Sequence, residues 1–156
     1  MIGLFVATLC QIIKDDKLLL QKKSEHLFGA GKWNGVGGKL KSNETPEDGV
    51  RREVYEETGL TLLETKYHGI LNFYFGSRDK LDWIVHVFST YNFKGSLRSS
   101  QEGVLKWFYI KDIPYDQMWL DDQHWLPLLL DNKRFQGIFY FEKGEEILDF
   151  ELTDSL

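Results

Sequence analysis

The segment from Thr45 to Gly59 constrains this chain more than any other, because both of its ends carry residues that start and stop helices. Thr45 is a good N-cap, since its hydroxyl can take up one of the amide protons a helix leaves unpaired at its start. Pro46 suits the first helical position, Glu47 and Asp48 complement the positive helix end, and Gly59 is the natural stop. These signals predict a helix over 46–58. Glu53, Glu56 and Glu57 fall at i, i+3 and i+4, within about 100° of one helix face. Val50 and Val54 lie on the adjoining stripe, so the helix is expected to pack by its valines and hold the acids at the edge of the packed face. Like charges at this spacing destabilise a helix by roughly a few tenths of a kcal/mol per pair. Arg52, four residues before Glu56, can neutralise one acid, and a divalent cation can neutralise the others. Hard oxygen ligands with room for water and phosphate suit magnesium. A solvated acidic face has the same spacing, so spacing alone leaves both readings open.

Around this helix the apolar residues follow strand patterns. Leu4 to Ile13 is nearly continuous in apolar character, as in a strand buried on both faces, and Lys14-Asp15-Asp16-Lys17 turns it into Leu18-Leu19-Leu20. Tyr67–Phe75 and Trp83–Tyr91 are expected to be strands joined by a turn around Gly76 to Lys80, with Val104–Ile110 as another strand. Leu126–Leu130, after Asp121-Asp122, fits a second helix, and Phe135–Phe141 with Ile147–Leu152 fits a closing hairpin through Lys143-Gly144. Gly29 to Gly38 holds five of the fourteen glycines and is expected to be a loop that lies close to a ligand, although Trp33 and Val36 speak against a mere connector. There is no repeat, low-complexity tract or linker. At 156 residues, 42% hydrophobic and 15% aromatic, the chain suits one well-filled core. The expectation is a single domain over 1–156, α/β or α+β, with a mixed sheet and helices.

The net charge of −5 comes without an evident basic patch, which disfavours a polymeric nucleic-acid partner. A phosphorylated small molecule stays open, because a metal reverses the local sign of charge. The one cysteine, Cys10, excludes an intrachain disulfide, fits a reducing cytoplasm, and reads as a small core residue. Residues 1–10 are apolar but follow no Lys or Arg, and they are too short to span a bilayer, so a soluble, unprocessed protein with no membrane partner is expected.

Gly38, Glu44 and the run Arg52-Glu53-Val54-Tyr55-Glu56-Glu57-Thr58-Gly59-Leu60 resemble the Nudix box at all nine of its defined positions. The resemblance implies a mixed sheet between helices, with the box as loop–helix–loop. It implies that Glu53, Glu56 and Glu57 hold one or more magnesium ions, with manganese able to substitute, often together with a carbonyl of Gly37 or Gly38. By the same resemblance Arg52 orients a glutamate and Glu44 braces the loop. The reaction implied is hydrolysis of a diphosphate linkage, in which a carboxylate takes a proton from the attacking water. Glu56 is the first choice for that base, with Glu53 and Glu102 as rivals; Glu102 is also an additional metal-site candidate.

Beyond the box, the chain is similar to the MutT-related hydrolases of oxidised purine deoxynucleotides. The matching segments are Phe28-Gly29-Ala30-Gly31-Lys32-Trp33-Asn34-Gly35, Val85-His86-Val87-Phe88, Ile113-Pro114, Met118-Trp119-Leu120-Asp121-Asp122, Trp125, Pro127 to Leu130 and Ile147-Leu148-Asp149. That similarity implies that Asn34, Asp121 and Asp122 hydrogen-bond the purine edge, that Trp119 stacks on the base, and that Thr8, Lys23, Phe28 and Phe73 line the pocket. Leu120 stands where the family has proline, and Ser24-Glu25-His26-Leu27 differs in length and sequence. Residue chemistry contributes separately. One Asn34 amide offers both a donor and an acceptor. Two adjacent aspartates in an apolar site would not both ionise, which leaves a protonated acid able to donate to a carbonyl; in an ordinary surface turn they would both stay charged. His86 and His124 are expected to be structural, Lys23 either meets the ligand or is an exposed strand end, and Phe73 and Phe75 share a face opposite Tyr74. The expected activity is that of a monomer sanitising the nucleotide pool by cleaving a substrate such as 8-oxo-dGTP to monophosphate and pyrophosphate. Other diphosphate-linked substrates (dinucleoside polyphosphates, an unmodified dNTP, a capped RNA end) and a non-catalytic binding module are the alternatives.

Overall fold

In a computed structural model, which describes residues 3–24, 31–98, 103–142 and 146–155, the apolar runs pair into a mixed sheet. Along the chain come β1 (Phe5–Lys14), β2 (Lys17–Lys23), β3 (Trp33–Asn34), β4 (Val36–Lys39), α1 (Pro46–Thr58), β5 (Thr61–Phe75), β6 (Trp83–Lys94), β7 (Gly103–Tyr109), α2 (Asp122–Leu130), β8 (Arg134–Phe141) and β9 (Ile147–Ser155). The strand order is β3-β2-β1-β6-β5-β8-β9, with β4 also on β1 and β7 on β2. The β1–β6 and β5–β8 pairs are parallel and the rest antiparallel. The turn from β1 to β2 uses Asp15 at φ 49° and Asp16 at φ 62°. Two successive positive φ values match the twist of a two-residue hairpin, and aspartate tolerates them.

β1 is buried on both faces, as its composition requires. Cys10 and Ile12 face α1, in a cluster with Leu19, Val36, Val50, Val54 and Phe88. Leu9 and Ile13 face α2, in a cluster with Leu71, Val87, Trp125, Leu126, Leu129 and Phe139. The sheet thus lies between its two helices. Val50 and Val54 are fully buried, and each contributes roughly 1.5–3 kcal/mol by leaving water. That outweighs the mutual repulsion of the acids and holds α1 in place with its charges at the rim.

Three expectations need correction. Of the loop expected over 29–38, the described residues, 31–38, are not simply a loop. After the Ile12–Leu19 pair, β1 and β2 part, and the chain from Trp33 to Lys39 fills the fork, with Asn34 opposite Gln21 on β2 and Val36 opposite Cys10 on β1. Glycine serves close packing there, since a side chain on Gly37 would collide with the Thr8 carbonyl. The strand expected from Tyr67 begins at Thr61. Register shifts at Leu62/Glu64, Glu64/Lys66 and Tyr67/Gly69 break its alternation, which hides the first half from a period-two pattern. The second helix starts at Asp122 rather than Leu126. The Lys143-Gly144 turn lies outside the described residues, although β8 and β9 pair antiparallel as a closing hairpin. Among the described residues no helix is long and apolar enough to cross a membrane.

Candidate active site

The helix ends are built as the cap residues dictate. Thr45 Oγ1 accepts from the Asp48 N–H at 3.1 Å. Gly59 adopts φ 83°, and its N–H donates to the Tyr55 carbonyl at 2.9 Å. Docked by its valines, the helix grades its three acids by depth: the side chains of Glu57, Glu53 and Glu56 are 4%, 18% and 50% exposed.

Arg52 organises the outer two. Its Nε and Nη2 grip Glu44 at 2.7 and 2.9 Å, Nη2 reaches the Lys39 carbonyl at 3.1 Å, and Nη1 donates to Glu53 Oε1 at 2.9 Å and Glu56 Oε1 at 2.8 Å. The planar guanidinium fork allows this division of labour. The Arg52 hydrogen bond, with help from the Lys41 N–H, lowers the Glu44 carboxyl to about 2. The Glu44 carboxylate in turn raises Arg52 above its ordinary value. Glu44 therefore ties the loop after β4 to the helix, and Arg52 transmits that anchoring to Glu53 and Glu56. Glu57, the most buried of the three, pairs with Lys23 Nζ of β2 at 3.5 Å.

The oxygens present suit a hard divalent ion. Gly38 passes so close to the helix that a β-carbon there would stand 2.5 Å from the Glu53 carboxyl, so only glycine leaves this acid its place beside the β4 backbone. Glu53, Glu56 and Glu57, with a carbonyl of Gly37 or Gly38, are the oxygens such an ion would draw on. Among the described residues no three acid side chains already converge on one point, and the Arg52 Nη1 stands between Glu53 and Glu56.

Beside the helix opens a cavity of about 310 Å³, in the range of small-molecule sites. Thr8, Lys23, Asn34, Gly37, Gly38, Phe73, Trp119, Asp121 and Asp122 all line it. Arg52 and the three glutamates do not. They adjoin it through Gly38, which lines the cavity and abuts Glu53, and through Lys23, which lines it and pairs with Glu57. Phe28 and Glu102 lie outside the described residues. The apolar walls also include Leu71, Phe75, Trp83, Val85, Trp125 and Phe141, which single-residue reasoning did not assign to the site. Period two from Phe73 points to Leu71 and Phe75. The partners Trp83, Val85 and Phe141 follow only from the registers Phe73↔Trp83, Leu71↔Val85 and Phe75↔Phe141. Tyr74 stacks on Tyr140 on the opposite face, at 5.0 Å between centroids. Trp119 stands edge-on to Phe75 and Phe141.

Asp121 and Asp122 are 4% and 2% exposed, so they form no surface turn. Asp121 Oδ2 accepts from the indole N–H of Trp125 at 2.7 Å. Burial pushes both carboxyls above the ordinary aspartate range; the charge of Asp121 pushes Asp122 further, while the Trp125 N–H restrains Asp121. Burial and the proximity of the two carboxyls thus favour keeping a proton on the pair that two surface aspartates would lose. Among the described residues Asp122 Oδ2 has no hydrogen-bond partner in its buried position. Such a wall can present a donor and an acceptor side by side. Opposite, Asn34 Oδ1 accepts from the Gly35 N–H at 2.9 Å. The histidines take structural places: His86 Nδ1 meets the Tyr67 hydroxyl at 2.9 Å, and His124 packs on Phe150. Cys10 is fully buried, which pushes its thiol up and keeps it unreactive.

Residues 4–129 match the NUDIX domain. The chain is 40% identical over 148 residues to the oxidized purine nucleoside triphosphate hydrolase of Mus musculus, covering 94% of this chain and 93% of the mouse protein. It is 41% identical over 148 residues to the protein of the same name from Danio rerio, with the same coverage. Its fold is similar to the crystal structure of a MutT protein from Bacillus halodurans, at TM-score 0.86 and 27% identity over 96% of this chain and 97% of that one.

Proposed function

The chain belongs to the Nudix family, and from that membership we propose that it cleaves an oxidised purine deoxynucleoside triphosphate of the 8-oxo-dGTP type to the monophosphate and pyrophosphate, with magnesium. That it is a hydrolase follows from the family. The choice of base is supported by one observation above all: a buried Asp121–Asp122 pair, its carboxyls raised by burial, lines the same aromatic cavity as Asn34. An oxidised purine carries an added keto oxygen and an added ring N–H, and it needs a donor and an acceptor in adjacent positions. Ionised aspartates would offer acceptors only. The names of the mouse and zebrafish relatives support the same substrate class.

In this reading Trp119 and Phe73 bound the base from its faces, and the base enters with its phosphates directed past Lys23 and Gly38 toward α1. Glu53, Glu56 and Glu57, with a Gly37 or Gly38 carbonyl, hold the magnesium, and manganese can replace it. Bound there, the ion offsets phosphate charge and lowers the pKa of water. Arg52 keeps Glu53 and Glu56 oriented through its hold on Glu44. Glu56, the most solvent-accessible of the three, is the proposed acceptor of the proton from the water that attacks phosphorus; Glu53 and Glu102 are the other candidates for that role. The proposal extends to a cytoplasmic monomer, a compartment suited to the free, buried thiol of Cys10.

Steady-state kinetics on oxidised and unmodified purine triphosphates, dinucleoside polyphosphates and capped RNA tests the assignment. It requires kcat/KM for 8-oxo-dGTP to exceed that for dGTP, and an equal or inverted ratio would end the sanitising reading. Glu56→Gln removes a half-exposed acid from a helix anchored elsewhere. Its melting temperature stays close to the parent's while kcat falls by about 10²–10⁴-fold; retained turnover would remove Glu56 from the chemistry.

A further inference from the structure

Two glutamines break the pattern of the core. Gln11 on β1 and Gln21 on β2 are both fully buried, and among the described residues neither the Nε2 nor the Oε1 of either has a hydrogen-bond partner. An orphaned buried amide is costly, and an apolar residue of the same length would remove that cost. Positions where a chain keeps such a violation are where function is expected. Both glutamines flank the fork that carries Asn34 and Gly35, but they meet different residues. Gln21 is directly opposite Asn34 in the β2–β3 register, so the two side chains share a face with their β-carbons about 5 Å apart. Two residues along the same face stands Lys23, the partner of Glu57. Gln11 instead abuts Gly35: a β-carbon on Gly35 would lie 2.6 Å from the Gln11 Nε2. Gly35 offers no side chain to orient.

Asn34 shows why a neighbour is needed. Its Oδ1 is held by the Gly35 N–H, so its two amide hydrogens are the part of the amide left to serve a ligand in the cavity that Asn34 lines or the Gln21 opposite it. One hydrogen bond fixes an amide plane weakly, and a base reader that can turn over exchanges donor for acceptor. We propose that Gln21 is a positioning residue for purine recognition: its Oε1 takes one hydrogen of the Asn34 amide when a nucleotide occupies the cavity, which leaves the other hydrogen aimed at the base. The inference rests on the proposed substrate class, and it makes Gln21 a determinant of selectivity that never touches the substrate.

Gln21→Met and Gln11→Met separate this role from packing, because each removes an orphaned amide and nearly conserves volume. Neither variant melts below the parent. Gln21→Met raises KM for the oxidised purine with kcat held, so that its kcat/KM preference over the unmodified purine falls about tenfold, the value of one misplaced hydrogen bond. Gln11→Met keeps the parent's preference within about twofold. A preference unchanged in Gln21→Met, or changed equally in both variants, overturns the proposal. If the parent itself shows no preference for the oxidised base, the substrate reading has failed. Gln21 is then judged by calorimetric affinity for dGMP: a loss of about tenfold in Gln21→Met alone sustains the positioning role, and equal affinities in all three proteins overturn it.

Discussion

Replacing Asp122 by asparagine removes one of the two groups that share a buried proton, while conserving size and a carbonyl acceptor. Asp121 and Asp122 are 4% and 2% exposed, and burial raises both carboxyls above their ordinary value of 3.8. Above that pH the folded protein retains a proton that the unfolded chain has released. Raising the pH then favours unfolding, at about 1.4 kcal/mol per pH unit for each proton retained, until the pair itself ionises. Asp122→Asn cannot ionise at that position, and Asp121 keeps its bond from the Trp125 indole. The variant therefore declines less steeply with pH and gains on the parent by about 1.4 kcal/mol per unit through the same window. Urea unfolding at a series of pH values rising from the ordinary aspartate value of 3.8 reads both curves. Activity moves the other way: with a fixed NH₂ where the pair had shared a proton, kcat/KM for the oxidised purine falls by about ten- to a hundredfold. Parallel stability curves would refute the retained proton, and an unchanged kcat/KM would refute its part in reading the base.

Arg52→Lys keeps the charge but loses the fork that holds Glu44, Glu53 and Glu56 together; kcat should fall about tenfold or more while KM for the nucleotide moves little, as steady-state kinetics will read. Gly38→Ala would bring a β-carbon to 2.5 Å from the Glu53 carboxyl, so the apparent magnesium requirement should rise with little change in melting temperature, measured by titrating the metal against activity. Glu44, lowered to about 2 by Arg52, should remain ionised well below the range in which exposed glutamates protonate. Its contribution to stability is present above the ordinary value of 4.5 and is lost as pH falls toward about 2; a carbon-detected NMR titration of its carboxyl that showed an ordinary midpoint would exclude the Arg52 clamp.

Local chemistry determined α1 completely. Thr45, Pro46 and Gly59 act within one helical turn of themselves, so the helix runs over 46–58 as its caps dictate, and the Nudix box that spans it from Gly38 to Leu60 was legible by resemblance, because its residues stand at fixed spacing along the chain. The two-sided burial of β1 and the shared face of Phe73 and Phe75 were legible too, because apolar runs and period two are local patterns. The first half of β5 was not, since its bulges destroy that period. Neither were β3 and β4, whose glycines suggest freedom in the sequence and serve tight strand packing in the fold. The depth order of Glu57, Glu53 and Glu56 was decided by how Val50 and Val54 dock on the sheet, which spacing along a helix does not specify. The cavity belongs entirely to tertiary structure. It joins Lys23 and Asn34 to Phe73, Trp119 and Asp122 through parallel pairings that chain neighbours do not encode. The same assembly buried the Asp-Asp pair, and it is burial, a property no dipeptide carries, that keeps a proton there.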